Sequence, residues 1–200
     1  MRALVYGGAF NPPTIAHIEL ADFARKATGF DKVIFVPSKM RYITDDQKKS
    51  FAFDDQTRLA MLRDCAKYHE WMEVSDYEII AEEQPRTYIT MKHLEQQGYI
   101  CKLLFGSDKL PELNGGWKYV DELCRHFGIC CMVRNNEPVE QMIASDPFLS
   151  RYSDCIEIIH TPADYQEVSS SKVRELYTRI KELEGQMYPM VPEAIRHYLD

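Results

Sequence analysis

What this chain of 200 residues lacks narrows its class before any motif is read. No run of eighteen apolar residues occurs, so no segment is long enough to span a bilayer as a helix. The first residues pass directly into an apolar run, without the basic-then-apolar layout of a secretory signal, and a cytoplasmic location is expected. Positive charge is short: 24 Lys and Arg stand against 31 Asp and Glu, a net charge of −7. That balance argues against a general nucleic-acid binder, which would carry a basic face. The six cysteines, Cys65, Cys101, Cys124, Cys130, Cys131 and Cys155, form no C-x-x-C pair, and several fall within apolar runs. They read as buried free thiols, with no metal or redox centre expected. No low-complexity tract, repeat or linker breaks the chain. Its length and 45% hydrophobic content suit one domain, residues 1–200, with an ordinary core.

What is present centres on Gly7-Gly8-Ala9-Phe10-Asn11-Pro12-Pro13-Thr14-Ile15-Ala16-His17. The preceding run Ala3-Leu4-Val5-Tyr6 has the composition of a buried strand. Ile15, Ile18, Ala21 and Ala24 recur every three residues beyond it and read as a helix face. A strand, a glycine turn and a helix start are therefore predicted. Two glycines allow a ligand close to the backbone. A helix N-terminus offers free N–H groups and partial positive charge, a seat for phosphate. Thr14 and His17, three apart, would project from one face of that first turn toward a single bound phosphate.

Further along, Lys32-Val33-Ile34-Phe35-Val36-Pro37 reads as a second strand, giving a βαβ unit with parallel strands. Ser38 to Phe53 is polar and holds Lys39, Arg41, Lys48 and Lys49; it reads either as a solvated loop or as a basic flap over a triphosphate. Asp54 or Asp55 would cap a helix whose inward face carries Leu59, Leu62 and Ala66. A third strand is expected within Trp71 to Ile80, and a helix from Thr87 to a stop at Gly98. Cys101 to Phe105 forms a fourth strand, ending in Gly106-Ser107-Asp108. There Asp108 suits either a helix N-cap or a ribose hydroxyl, and Trp117 offers either packing or a flat face for an aromatic ring. Ile129 to Val133 and Ile156 to Ile159 complete six strands. In Val168-Ser169-Ser170-Ser171-Lys172-Val173-Arg174 the serines stand at a helix N-terminus, with Val173, Leu176, Tyr177 and Ile180 as its stripe. Hydroxyls, N–H groups and the Arg174 guanidinium would form a second phosphate cradle. The alternation predicts an α/β fold, a Rossmann-like doubly wound, mostly parallel sheet with helices on both faces.

The first stretch resembles the signature G-G-[ST]-F-D-P-x-H-x-G-H of the nucleotidyltransferases related to class I aminoacyl-tRNA synthetases. Within them it is similar to the bacterial nicotinate-nucleotide adenylyltransferase family. Asn11, Thr14 and Ala16 depart from the usual Asp, His and Gly. A Thr at the first position is similar to the phosphopantetheine adenylyltransferase branch. Residues 168–174 resemble the family's I-S-S-T-x-I-R motif, and Gly106, Asp108, Leu110, Leu113 and Trp117 follow its G-x-D, leucine, tryptophan order. Arg134 follows the fifth strand as in V-x-R, and Thr87 to Thr90 loosely resemble S-Y-T-x-D-T-L. The ending Pro189-Met190-Val191-Pro192, Ile195, Tyr198 and Leu199, expected to form a short amphipathic helix, is similar too.

The resemblance implies transfer of AMP from ATP to nicotinic acid mononucleotide, releasing pyrophosphate, with magnesium bridging ATP oxygens. It implies that Gly7, Gly8, Ala9, Phe10, Gly106, Asp108, Ser170, Ser171 and Arg174 bind ATP, and that His17 and Thr14 serve the transferring phosphate. Tyr88, Thr90, Trp117 and Arg134 would hold the pyridine nucleotide, with either Ile89 or Thr90 in the family's threonine place. Lys39 would approach the phosphates, although the usual P-P-H-K form is absent. Nicotinamide mononucleotide and phosphopantetheine stay open as acceptors, as does a nucleotide-binding regulator without catalysis. A homo-oligomer is compatible with all of this. An acidic chain that binds nucleotides must rely on local cations, helix N-termini or a divalent metal.

Overall fold

A computed structural model describes residues 1–41, 52–133, 137–165, 167–178 and 188–199. Its frame is a six-stranded sheet in the order β3-β2-β1-β4-β5-β6, every adjacent pair parallel. The strands are β1 (Arg2–Gly8), β2 (Lys32–Pro37), β3 (Met72–Val74), β4 (Ile100–Gly106), β5 (Ile129–Val133) and β6 (Ile156–His160). The helices are α1 (Ile15–Thr28), α2 (Asp55–Ala66), α3 (Tyr77–Ile80), α4 (Thr87–Gln96), α5 (Leu110–Leu113), α6 (Val120–Glu122), α7 (Val139–Ser145) and α8 (Ser170–Thr178).

The near-continuous apolar strands are explained by burial on both faces. Successive side chains alternate between two cores. Leu4, Tyr6, Phe35, Leu104 and Met132 pack beneath α1, α2 and α8 on one face. Ala3, Val5, Val36, Leu103 and Phe105 pack beneath α4, α5 and α7 on the other. Fully burying each Leu or Phe contributes about 1.5–3 kcal/mol, which makes the central strands the rigid part of the molecule. The expected doubly wound sheet is thus present, and its strand order reverses between β1 and β4, where such sheets open a crevice.

The third strand, Met72–Val74, falls within the expected Trp71 to Ile80; the Ser75 N–H still donates to the Phe35 carbonyl, and Tyr77–Ile80 then coils as α3. The last turn, Glu193–Tyr198, is a 3₁₀ helix, held by buried Ile195 and Leu199 and by the Tyr198 hydroxyl donating to Asp64 over 2.9 Å. Asp54, not Asp55, caps α2, its carboxylate accepting the Thr57 N–H. Five of the cysteines are buried and Cys155 is half-buried; none is bonded to another. Burial pushes the thiols of Cys65, Cys124, Cys130 and Cys131 up to about 12 and that of Cys101 up to about 11, leaving them unreactive.

Candidate active site

β1 ends at the centre of the sheet, so the turn that follows it is braced on both sides. A Cβ on Gly7 would meet nothing within 4 Å, whereas one on Gly8 would lie 3.2 Å from the Phe10 ring. Phe10 takes a positive φ of 42° and packs its buried ring edge-on against Tyr6 and His17. That ring is therefore core, and only the Phe10 backbone is left to serve a nucleotide.

Thr14 stands at the N-cap of α1 with extended backbone. Its N–H donates to His17 Nδ1 over 3.1 Å, and its hydroxyl lies 2.7 Å from the same nitrogen. The two side chains share a face as the spacing predicts, but Thr14 is wholly buried and turns its hydroxyl onto the imidazole. It positions His17 and does not present itself to a phosphate. Because a backbone N–H can only donate, Nδ1 is an acceptor and the ring proton sits on Nε2. His17 is half-buried and carries its ring proton on Nε2.

The serine helix docks against this turn. Ser170 Oγ donates to the Pro12 carbonyl over 2.8 Å, and Arg174 Nη1 donates to the Asn11 carbonyl over 2.7 Å. Arg174 Nη2 reaches Ser171 Oγ at 3.0 Å. Asn11 is buried, and its Oδ1 accepts the Phe53 N–H. Thr14, His17, Ser170, Ser171 and Arg174 therefore form one group, at the N-terminal ends of α1 and α8.

A cavity of about 430 Å³ opens at the carboxyl ends of β1, β2 and β4. Gly7 and Gly8 form part of its wall, with Val36, Leu104 and Phe105 on the strands, Thr87 and Thr90 on α4, and Trp117 beyond α5. Its size suits a mononucleotide-sized ligand. Trp117 rests edge-on against Phe105, which leaves the indole in the cavity wall. Arg86, Lys109 and Lys118 bring positive charge to a chain that is acidic overall. Of the residues expected to bind nucleotide, Gly7, Gly8, Thr90 and Trp117 line this cavity.

Others do not. Tyr88 packs on Tyr119 and Phe127. Asp108 lies in a 3₁₀ turn after β4, exposed, with Oδ1 only 2.6 Å from where a Gly106 Cβ would be. Lys39 gives its Nζ to the Ile79 carbonyl over 3.0 Å, so it is tied to α3. Arg134 and residues 42–51, including Lys48 and Lys49, lie outside the described residues.

Two charged groups escaped the sequence reading. Glu78 is buried in the cavity wall and accepts from Thr90 Oγ1 over 2.7 Å and from Gln84 Nε2. Burial holds its carboxyl above the usual range, although Thr90, Gln84 and Ser38 stabilise the anion. Arg58 is wholly buried on α2. Its signal was available: it stands one turn before Leu62 on the inward stripe, where a charge is out of place unless paired. Among the described residues no group of three or more His, Cys, Asp or Glu could hold a metal ion, and no helix is long and apolar enough to cross a membrane.

Residues 5–176 match the cytidylyltransferase-like family. The chain is 25% identical over 201 residues to a probable nicotinate-nucleotide adenylyltransferase of Caldicellulosiruptor bescii, covering 98% of this chain and 96% of the relative. It is 26% identical over 190 residues to a nicotinamide/nicotinic acid mononucleotide adenylyltransferase of Arabidopsis thaliana, covering 88% and 79%. The fold is similar to that of Plasmodium falciparum nicotinic acid mononucleotide adenylyltransferase complexed with NaAD, with TM-score 0.75 at 17% identity, covering 99% of this chain and 94% of that one. With the family match running from within β1 to within α8, the chain belongs to the cytidylyltransferase-like family.

Proposed function

We propose that this protein is a nicotinate-nucleotide adenylyltransferase, moving AMP from ATP to nicotinic acid mononucleotide in NAD biosynthesis. The observation that carries the reading is the division of the site at the end of β1. A mononucleotide-sized cavity lies against Gly7 and Gly8, and beside the turn that follows stand His17 on the first turn of α1 and Arg174 on α8. The relatives named for this activity span nearly the whole chain and support it.

In the reaction, a phosphate oxygen of the mononucleotide attacks the α-phosphorus of ATP in line. The bond to the bridging oxygen breaks, and pyrophosphate leaves with the electron pair. The attacking phosphate is already anionic, so no base is required, and no covalent enzyme intermediate forms. Rate comes from holding two anions together and from stabilising charge on the transferring group. His17 Nε2–H donates to those oxygens, with Thr14 fixing the ring. In this reading the N-terminus of α8, with Ser171 and Arg174, receives the ATP phosphates, and Gly106 and Asp108 are assigned to its ribose. Trp117 stacks on the pyridine ring. Magnesium enters with ATP as part of that co-substrate and offsets the phosphate charge.

The test is pyrophosphate release with MgATP and, separately, nicotinic acid mononucleotide, nicotinamide mononucleotide and phosphopantetheine. Preference for the first supports the reading. The Arabidopsis relative, named for both pyridine nucleotides, makes comparable use of the second the nearest alternative. Silence with all three alongside measurable ATP binding would assign a regulator.

A further inference from the structure

We propose that Arg58 is a positioning residue for the nucleotide-binding turn, setting the backbone around Ala9 in the orientation that receives ATP. The inference rests on the adenylyl-transfer reading. Arg58 makes no contact with the cavity, yet it is the largest fully buried side chain among the described residues. A buried guanidinium is costly unless all its donors are used, and here they converge on the site. Nη1 donates to the Ala9 carbonyl over 2.6 Å, Nη2 to the Ser38 carbonyl over 2.6 Å, and Nε to the Phe53 carbonyl over 3.1 Å. Asp55 supplies the counter-charge at 2.6 Å.

These acceptors belong to three separate segments: the turn after β1, the end of β2 and the entry to α2. The peptide joining Ala9 to Phe10 is planar and trans, so its N–H points opposite to its carbonyl. Fixing the Ala9 oxygen toward α2 therefore fixes the Phe10 N–H on the opposite edge. The same reasoning applies to Ser38. Its carbonyl faces Arg58, and the Lys39 N–H on the other edge donates to Gln84 Oε1 over 2.9 Å. Gln84 in turn donates to Glu78 in the cavity wall. One guanidinium thus orients the turn that carries the phosphates and the segment that carries the cavity wall. A lysine could retain the charge, but its single ammonium lacks the planar fork that reaches three carbonyls.

The test compares Arg58→Lys, Arg58→Met and Asp55→Asn in the full chain. Melting temperature, ATP affinity by calorimetry, and kcat and KM for each substrate are measured. Positioning predicts that folded Arg58→Lys loses roughly 100-fold in kcat/KM for ATP and also raises KM for the mononucleotide, by a smaller factor because the cavity wall is reached only through Ser38, Gln84 and Glu78. Asp55→Asn, at a partly exposed carboxylate, keeps the core filled and should lose about three- to tenfold in the same quantity. A purely structural role predicts lower melting temperatures with wild-type kcat/KM in the folded fraction, and that result overturns the proposal. If both Arg58 variants fail to fold, Asp55→Asn decides: unchanged ATP affinity and kcat/KM refute positioning. Calorimetry needs no turnover, so a wild-type protein that binds ATP but transfers nothing would sink the functional reading alone.

Discussion

Arg174 donates through Nη1 to the backbone carbonyl of Asn11, 163 positions earlier in the chain, over 2.7 Å. This bond joins the two stretches that carry phosphate-binding character. Burial lowers the affinity of the Arg174 guanidinium for its proton, but the group stays charged, and a charged donor to a carbonyl makes a strong contact. Arg174→Met should lower unfolding free energy by about 1.5–3 kcal/mol. It should also raise KM for ATP more than KM for the mononucleotide. Urea denaturation and two-substrate kinetics check both, and an unchanged ATP constant would remove Arg174 from the phosphate site.

His17→Ala should reduce kcat by about 10²–10³-fold, the usual cost of losing a donor to developing charge. Thr14→Ala keeps the backbone N–H that defines the tautomer and removes only the hydroxyl contact. Its loss should be at most roughly tenfold, with both KM values close to wild type. Equal losses in the two variants would contradict the positioning role of Thr14.

Trp117→Ala should raise KM for the pyridine mononucleotide by about tenfold or more, as expected for loss of ring stacking, and leave KM for ATP nearly unchanged. Steady-state kinetics with each substrate varied in turn gives the answer.

Glu78 predicts a pH signature. Its ordinary value is 4.5, and burial raises it in the folded state. Between the unfolded and folded values the native state binds more protons, so this residue's contribution is fully present below the unfolded value. It declines as pH rises through the folded one. The stability of wild type minus that of Glu78→Gln should therefore fall with rising pH from about 4.5 and then level off. Urea titrations at several pH values measure it, and a pH-independent difference would show that Glu78 ionises as freely folded as unfolded.

Much of this architecture is legible in the order of residues, for a local reason. Apolar runs set the strands, and Ile129 to Val133 is strand β5 over its whole length. Gly7 and Gly8, expected in the turn, are instead the last residues of β1, paired with Val36 and Pro37, and the turn begins after them. The third strand lies within Trp71 to Ile80 as expected, but its bounds are not legible there, because Ile79 and Ile80 extend the apolar character while Asp76 and Tyr77 already begin a helical turn. What escaped depends on partners far away in the chain. Arg58 stands on the inward stripe of α2, but nothing near it in the chain shows that its donors go to the Ala9 and Ser38 carbonyls. That the Thr90 hydroxyl in the cavity wall donates to Glu78, twelve residues earlier, is likewise invisible in local spacing. Spacing gave Thr14 and His17 a common face, but it could not show that the hydroxyl points inward to the imidazole.

The docking of α8 onto the turn after β1 also has a temporal side. During synthesis β1, the turn after it and His17 emerge before α8, and the sheet can assemble strand by strand behind them. Ser170 and Arg174 follow 158 and 163 positions after their acceptors, and until they leave the ribosome the Pro12 and Asn11 carbonyls wait for these donors. Without α8 those two carbonyls lack these donors, so the geometry of the turn after β1 depends on a helix formed from residues about 160 positions further along.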